Sequence, residues 1–536
     1  MIIRRKMYFL RLLVISILLN CGCSPSDSSS QISYYPWQKN KPRASTKLNA
    51  DRLISELTKQ GYEVERGYFK LYTKDECPYS YEVMETCYGN NPAAPYVLPV
   101  VPYWPREFVD ASTKFAFGPT DDGYGSTFRI DRSEAIIIFG LLPPQAAYLG
   151  IQTYLFTREG SYDKNSVQYR YFEVVKPEML NTFFATIPNN PKRIQLLASL
   201  SNSINNVVIE RQAGSAFDQE RYIIITPDQY MDSVVRDALN QISVENANIF
   251  TEPIPPTVRT GLDEQADDFL TAIRYAMPYD GGNTGTPSDS WRNDLPLVVL
   301  RVRDANQQRV PLPYDMVSLE ARTAEDEGGL NADFINLIVE VGNKWGQSCA
   351  NADCSDITSN FIDMQEPPMN LVGPQCTEIG MNCLGDTQDT TYQLSSNLKL
   401  DSGEIYAVIG SLGTTTENAT YVGLSVNYTL MKKGVENISS DQLKGSALEY
   451  SGKVNNADKF YVYYITRDCS GLEALTEGNC LSIPETMIPP CSPEASEPCG
   501  YAKLVQREYI RPGTQRGPNS KLVILPRVLK LQRPLI

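Results

Sequence analysis

Histidine does not occur among the 536 residues. That absence removes the Ser–His and Cys–His nucleophile pairs, HExxH zinc sites and imidazole general bases. The chain also lacks GxSxG, GxxxxGK[ST] and GxGxxG motifs. Asp, Glu, Tyr, Lys and Ser remain, and paired carboxylates of the glycoside-hydrolase kind survive this filter. The carboxylates best placed for such work are Asp386 and Asp389, in LGDTQDTTY. They sit in residues 373–391, GPQCTEIGMNCLGDTQDTT, a stretch with a close cysteine pair and three glycines that reads as too irregular for a helix or a strand. With Glu404 nearby in sequence they could line a cleft or hold Ca²⁺ through oxygen ligands, although the spacing is not that of an EF-hand. The competing reading is that both aspartates cap turns by accepting backbone N–H bonds.

Weaker acidic candidates are Asn351, Asp353 and Asp356 around Cys354, and Asp121-Asp122-Gly123, which reads as a turn. Tyr34, Tyr35, Trp37, Tyr103 and Trp104 could form a stacking platform for sugars or pack as ordinary core and rim aromatics.

Apart from Cys21 and Cys23, the cysteines fall into neighbouring pairs: Cys77 with Cys87, Cys349 with Cys354, Cys376 with Cys383, Cys469 with Cys480, and Cys491 with Cys499. An even count in such a grouping favours local disulfides, each contributing about 2–3 kcal/mol by restraining the unfolded chain. Zinc spacing fails, because CxxC and histidine are both absent.

The amino terminus is MIIRRKMYFLRLLVISILLNCGC. Arg4, Arg5 and Lys6 precede an apolar run too short to span a membrane, and a cysteine follows instead of an A-x-A site. This resembles a bacterial lipoprotein signal, which implies cleavage before an acylated Cys21, with Cys23 as the alternative. A polar tether follows, SPSDSSSQ. The expected location is extracytoplasmic and lipid-anchored, at the bacterial outer membrane or cell surface. The formal charge of -14 argues against nucleic-acid binding, which needs clustered Lys and Arg. One basic stretch stands out from residue 500 onward: Lys503, Arg507, Arg511, Arg516, Lys521, Arg527, Lys530 and Arg533 against the single acid Glu508. It could dock on anionic lipid, polysaccharide or a partner, or return against the protein's own acidic surface.

Several elements must position these residues. Hydrophobic spacing predicts helices over 45–60, 177–186, 192–200, 262–277 and 330–345, and a helix after the strand at 221–225 that starts at Pro227 with Thr226 as its cap. Asp263, Glu264, Asp267 and Asp268 read as first-turn acids of the 262–277 helix. Strands are expected over 62–72, 135–142, 148–157 and 297–302, and 77–105 as a stapled loop. Beyond Cys349, residues 403–413, 419–429, 458–468 and 521–531 read as strands. The fold class expected is an α+β (or α/β) amino-terminal region followed by a mainly antiparallel, β-sandwich-like carboxy-terminal domain with local disulfides. The expected division is 1–22 signal peptide, 23–44 tether, 45–345 mixed domain and 346–536 disulfide-stapled β-rich domain. The function expected is a non-catalytic binding or assembly module of the cell envelope, held to the membrane by its anchor. An envelope protein or a glycan would be its partner, and no cofactor is expected beyond Ca²⁺. The alternative is a histidine-free glycoside hydrolase using paired Asp or Glu.

Overall fold

The run AIIIFGL occupies the strand Glu134–Leu141, buried on both faces, at the centre of a five-stranded sheet. In the computed structural model the described residues are 40–536, apart from 308, 317, 348–356, 368, 491–499 and 533–536. The order of this sheet I is Glu63–Arg66, Leu297–Arg303, Glu134–Leu141, Glu220–Thr226 and Ile249–Pro253. The last pair is parallel, joined by the helix Gln229–Gln241, and the other pairings of the sheet are antiparallel. One face packs Ala135, Ile137 and Phe139 against Leu53 and Leu57 of the helix Ala44–Lys59 and Val235 and Leu239 of Gln229–Gln241. The other packs Ile136, Ile138 and Val299 against Leu149, Ile151, Phe269 and Ile273 of sheet II. Each such aliphatic side chain contributes about 1.5–3 kcal/mol by leaving water.

Sheet II runs Tyr68–Tyr72, Tyr96–Pro102, Asp268–Pro278, Ala146–Glu159, Asn190–Ser199, Thr186–Ile187, all antiparallel. Sheets III and IV draw on residues 357–531, each with five strands. The order of sheet III is Ile357–Asn360, Arg527–Leu531, Ile405–Ser411, Phe460–Thr466, Cys480–Ser482. That of sheet IV is Ile362–Asp363, Thr390–Lys399, Tyr501–Tyr509, Tyr421–Tyr428, Lys433–Ser439. Tyr406, Val408 and Tyr461 of sheet III share a core with Val422, Leu424 and Leu504 of sheet IV. The helix Asn331–Lys344 lays Phe334, Leu337, Ile338 and Val341 on the opposite face of sheet III. The fold is thus mixed α+β with antiparallel sheets.

Five expectations are corrected. Residues 192–200 and 262–277, expected as helices, lie in the strands Asn190–Ser199 and Asp268–Pro278. Both strands are buried on both faces, so they read as near-continuous apolar runs rather than alternating ones. The helix after Thr226 starts at Gln229, because Asp228 takes the cap and accepts from Tyr230 N at 3.0 Å. Thr226 Oγ1 instead donates to Glu134 O at 2.7 Å. The expected loop at 77–105 contains the helix Cys77–Met84 and the strand Tyr96–Pro102. Residues 521–531 yield a strand only over Arg527–Leu531.

Of the four acids expected at a helix start, Asp267 and Asp268 are buried counter-ions and Asp263 and Glu264 are exposed. Arg129 Nη1 donates to Asp268 Oδ1 at 2.8 Å, and Arg158 grips Asp267 bidentately at 2.9 and 2.7 Å. Arg193 lies 3.4 Å from the other Asp268 oxygen. Arg301 donates to Glu134 at 2.6 Å, Glu107 at 2.7 Å and Arg129 O at 2.7 Å. Arg129, Arg193 and Arg301 are at most 1% exposed. Trp104 lies under Arg301 and Arg303, at 5.1 and 4.3 Å from ring centre to guanidinium, and is itself buried. It offers no face to a sugar. Tyr34, Tyr35 and Trp37 fall outside the described residues.

Removing one partner of a buried pair leaves the other charged and unsatisfied, at a cost of about 3–5 kcal/mol. Arg301→Met is therefore expected to lower unfolding free energy by that amount in a urea titration. Adding Glu107→Gln and Glu134→Gln should restore a large part of it, and no recovery would show that the charges are not what the guanidinium supports.

Candidate functional site

The Asp386–Asp389 region is positioned by a short helix, Gly373–Ile379, with Pro374 in its first turn and Gly380 at its end with φ +76°. The stretch is therefore more regular than its composition suggests, and from Thr390 it is strand. The disulfide Cys376–Cys383 closes the helix onto the following turn inside the core that holds Phe183, Ile194 and Leu196. The turn then docks edge-on to Asn190–Ser199. Cys383 N donates to Leu196 O at 2.7 Å and Gly385 N to Leu197 O at 2.8 Å. A Cβ on Gly373 would fall 1.9 Å from Ser199 O, so only glycine fits there.

Asp386 accepts four hydrogen bonds, from Ser199 N (2.9 Å), Ser199 Oγ (2.8 Å), Gly373 N (2.9 Å) and Gln388 Nε2 (2.9 Å). Burial pushes its carboxyl up to about 6, against the pull of those donors and of Arg274. Asp389 accepts from Tyr148 OH at 3.1 Å, Asn205 Nδ2 at 3.3 Å and Thr387 Oγ1 at 2.9 Å, while its main-chain oxygen accepts from Ile510 N at 2.8 Å. Gln388 between them is clamped by arginines. Its main-chain oxygen accepts from Arg516 Nε at 2.7 Å and Arg322 Nη2 at 3.2 Å. Burial, with Arg516 beside it, draws Arg322 down to about 9. Arg274 lies below, stacked on Tyr96 and Tyr154 at 5.7 and 5.3 Å and donating to Gly385 O at 3.2 Å.

The arrangement satisfies both carboxylates with protein donors, close to the turn-capping alternative. A carboxylate oxygen has two lone pairs; Asp386 Oδ2 accepts three bonds and Oδ1 one, so Ca²⁺ could reach Oδ2 only by displacing donors. Among the described residues no three Asp, Glu, Cys or His converge as metal ligands would. Glu404 is engaged elsewhere, by Lys530 at 2.6 Å. Asp121–Gly123 forms the expected turn, with Tyr124 N donating to Asp121 O at 3.1 Å. Asn351, Asp353 and Asp356 fall outside the described residues, as do Cys21, Cys23, Cys349, Cys354, Cys491 and Cys499. The pairs Cys77–Cys87, Cys376–Cys383 and Cys469–Cys480 are disulfides.

Two features carry no sequence signal. Glu252, at 1% exposure, accepts only neutral donors: Thr153 N and Oγ1 at 2.7 Å, Gln152 Nε2 at 3.0 Å and Ser201 Oγ at 3.2 Å. Burial pushes it up to about 7. Gln152, Ser203 and Thr387 continue the network to Asp389, in contacts of 2.7, 2.9 and 2.9 Å. The second is an open cleft of about 310 Å³ where the start of helix Asn331–Lys344, residues 360–361 and residues 521–527 meet. Among the described residues Asp326 is the only carboxylate in its wall.

The basic stretch is largely spent internally. Arg507 donates to Ser425 Oγ and Gly89 O, Arg511 pairs with Glu325, Arg516 holds Gln388, Lys521 pairs with Glu366 and Lys530 with Glu404. Among the described residues no helix is long and apolar enough to cross a membrane.

No family model matches the chain, and no curated protein matches it. Among solved structures it is similar to an uncharacterized protein from Burkholderia cenocepacia, with 11% identity and a TM-score of 0.34, over 91% of this chain and 99% of that chain.

Two outcomes follow from the geometry. Gly373→Ala overpacks the contact with Ser199 and should lower the urea midpoint by about 1–3 kcal/mol equivalent; an unchanged midpoint would mean the loop shifts freely. Glu252 is raised from 4.5 to about 7, so between those values the folded chain keeps a proton that the unfolded chain has released. Its stabilisation is full below about pH 4.5 and is lost as pH rises through about 7. Glu252→Gln should flatten that decline by roughly 3 kcal/mol, read from denaturant titrations at several pH values.

Proposed function

We propose that this protein is a lipid-anchored, extracytoplasmic module of the bacterial cell envelope, displayed at the outer membrane or cell surface, that binds or assembles partners without catalysis. The observation that carries this reading is the set of short-range disulfides, Cys77–Cys87, Cys376–Cys383 and Cys469–Cys480, in a chain whose first residues resemble a lipoprotein signal ending at Cys21. Such bonds persist in oxidising compartments. The shared core of sheets III and IV supports taking them as a β-sandwich that presents its connecting loops as rigid surfaces. The glycoside-hydrolase alternative needs two carboxyl groups across a groove, roughly 5–10 Å apart. Among the described residues the 310 Å³ cleft has Asp326 alone.

Mass spectrometry of the native protein is expected to find an amino terminus at Cys21 carrying lipid, with Cys21→Ser abolishing acylation and Cys23→Ser leaving it intact. An intact Met1 terminus without acyl groups would overturn the reading.

A further inference from the structure

The cleft beside Arg527 has a chemistry of its own. Arg507, Arg511, Arg516, Lys521 and Lys530 each donate to a carboxylate or to main-chain or side-chain oxygens. Arg527 differs. Among the described residues its guanidinium has no hydrogen-bond or ion-pair partner. It stacks on the Phe334 ring at 5.6 Å, and both residues line the cleft. Stacking fixes the plane of the guanidinium and leaves its N–H fork open, and that fork matches a carboxylate bidentately. Around it stand groups suited to hydroxyls. Asn331 gives its Nδ2 to Gly328 O at 3.0 Å and keeps its carbonyl oxygen open. The Asn360 side chain is exposed in the wall, and Asp326 spends one oxygen on Gly328 N at 2.8 Å. At about 310 Å³ the space lies at the small end of ligand sites, enough for one ring.

We propose that this cleft binds a sugar acid, with its carboxylate on Arg527 and its hydroxyls on Asn331, Asn360 and Asp326. The ligand is either a free uronate or one unit of an acidic polysaccharide. The proposal deepens the binding-module reading above and rests on it. No bond is made or broken in the process.

The test titrates full-length protein with D-glucuronate, its methyl ester, D-glucose and acetate, followed by calorimetry. Glucuronate is expected to bind at least about tenfold more tightly than the ester, glucose or acetate. Arg527→Gln should erase that preference and Arg527→Lys keep only part of it, both melting as the native protein does. Should either variant fail to fold, the contrast between glucuronate and its ester still reads the carboxylate contact without altering the protein. Oligogalacturonate binding more tightly than the monomer supports a polysaccharide source, and equal binding supports a free sugar acid. Equal affinity for glucuronate and glucose, equal affinity for acetate, an unaltered Arg527→Gln variant, or no uronate binding at about 10 mM would each overturn the proposal. Any of these results leaves acylation at Cys21 untouched, so the two readings fail separately.

Discussion

Charges buried in the first half of the chain set its geometry. Arg129, Arg193 and Arg301 lie out of water, and each must find anions or carbonyls in fixed directions. Glu107, Glu134 and Asp268 supply the anions. Arg301 and Glu134 lie in sheet I and Arg193 and Asp268 in sheet II, and Arg301 crosses to Pro102 O, at the end of a sheet II strand, and to Glu107 in the loop that follows it. Apolar packing would tolerate several registers of one sheet over the other, whereas a bidentate fork tolerates few. The bonds of Arg301 thus select one alignment of two layers whose adhesion comes from isoleucine, leucine and phenylalanine.

A second polar system joins the halves of the chain. Asp386 and Asp389 are fed by Ser199, Tyr148 and Asn205, from strands and connections of the first half. Leu197 and Ile510, both at positive φ (34° and 37°), flank this contact: Leu197 O accepts from Gly385 N, and Ile510 N donates to Asp389 O. A β-branched residue in that region is strained and persists only where its surroundings over-determine it. Buried carboxylates with a full set of donors rigidify what they touch. The loop is accordingly a joint.

Much of this was legible in the residues. The helix Ala44–Lys59, the strand Glu134–Leu141 and the helix Asn331–Lys344 carry periodicity that packing leaves intact. The pairing of Cys376 with Cys383 follows from spacing, and the aspartates beside it are visible as carboxylates in a stapled loop. What spacing cannot show is their distant partners Asn205, Ser199 and Tyr148, which lie 184 to 241 residues away. Asp267 and Asp268 give a genuine helix-start signal, yet Arg158 and Arg129 outbid the helix dipole, worth only about 0.3–1 kcal/mol. Glu252 sits in an ordinary strand sequence, and three segments far apart in the chain converge only in space to make the cleft.

The joint at Asp386 also bears on the order in which the chain reaches its native state. Ser199 waits for an acceptor that is 187 residues downstream, and Tyr148 for one 241 downstream. A polypeptide made from its amino end exposes the strands Ala146–Glu159 and Asn190–Ser199 long before Asp386 follows. Until then Ser199 and Tyr148 lack the carboxylates that satisfy them in the native chain, so this joint closes only after most of the sequence has been made.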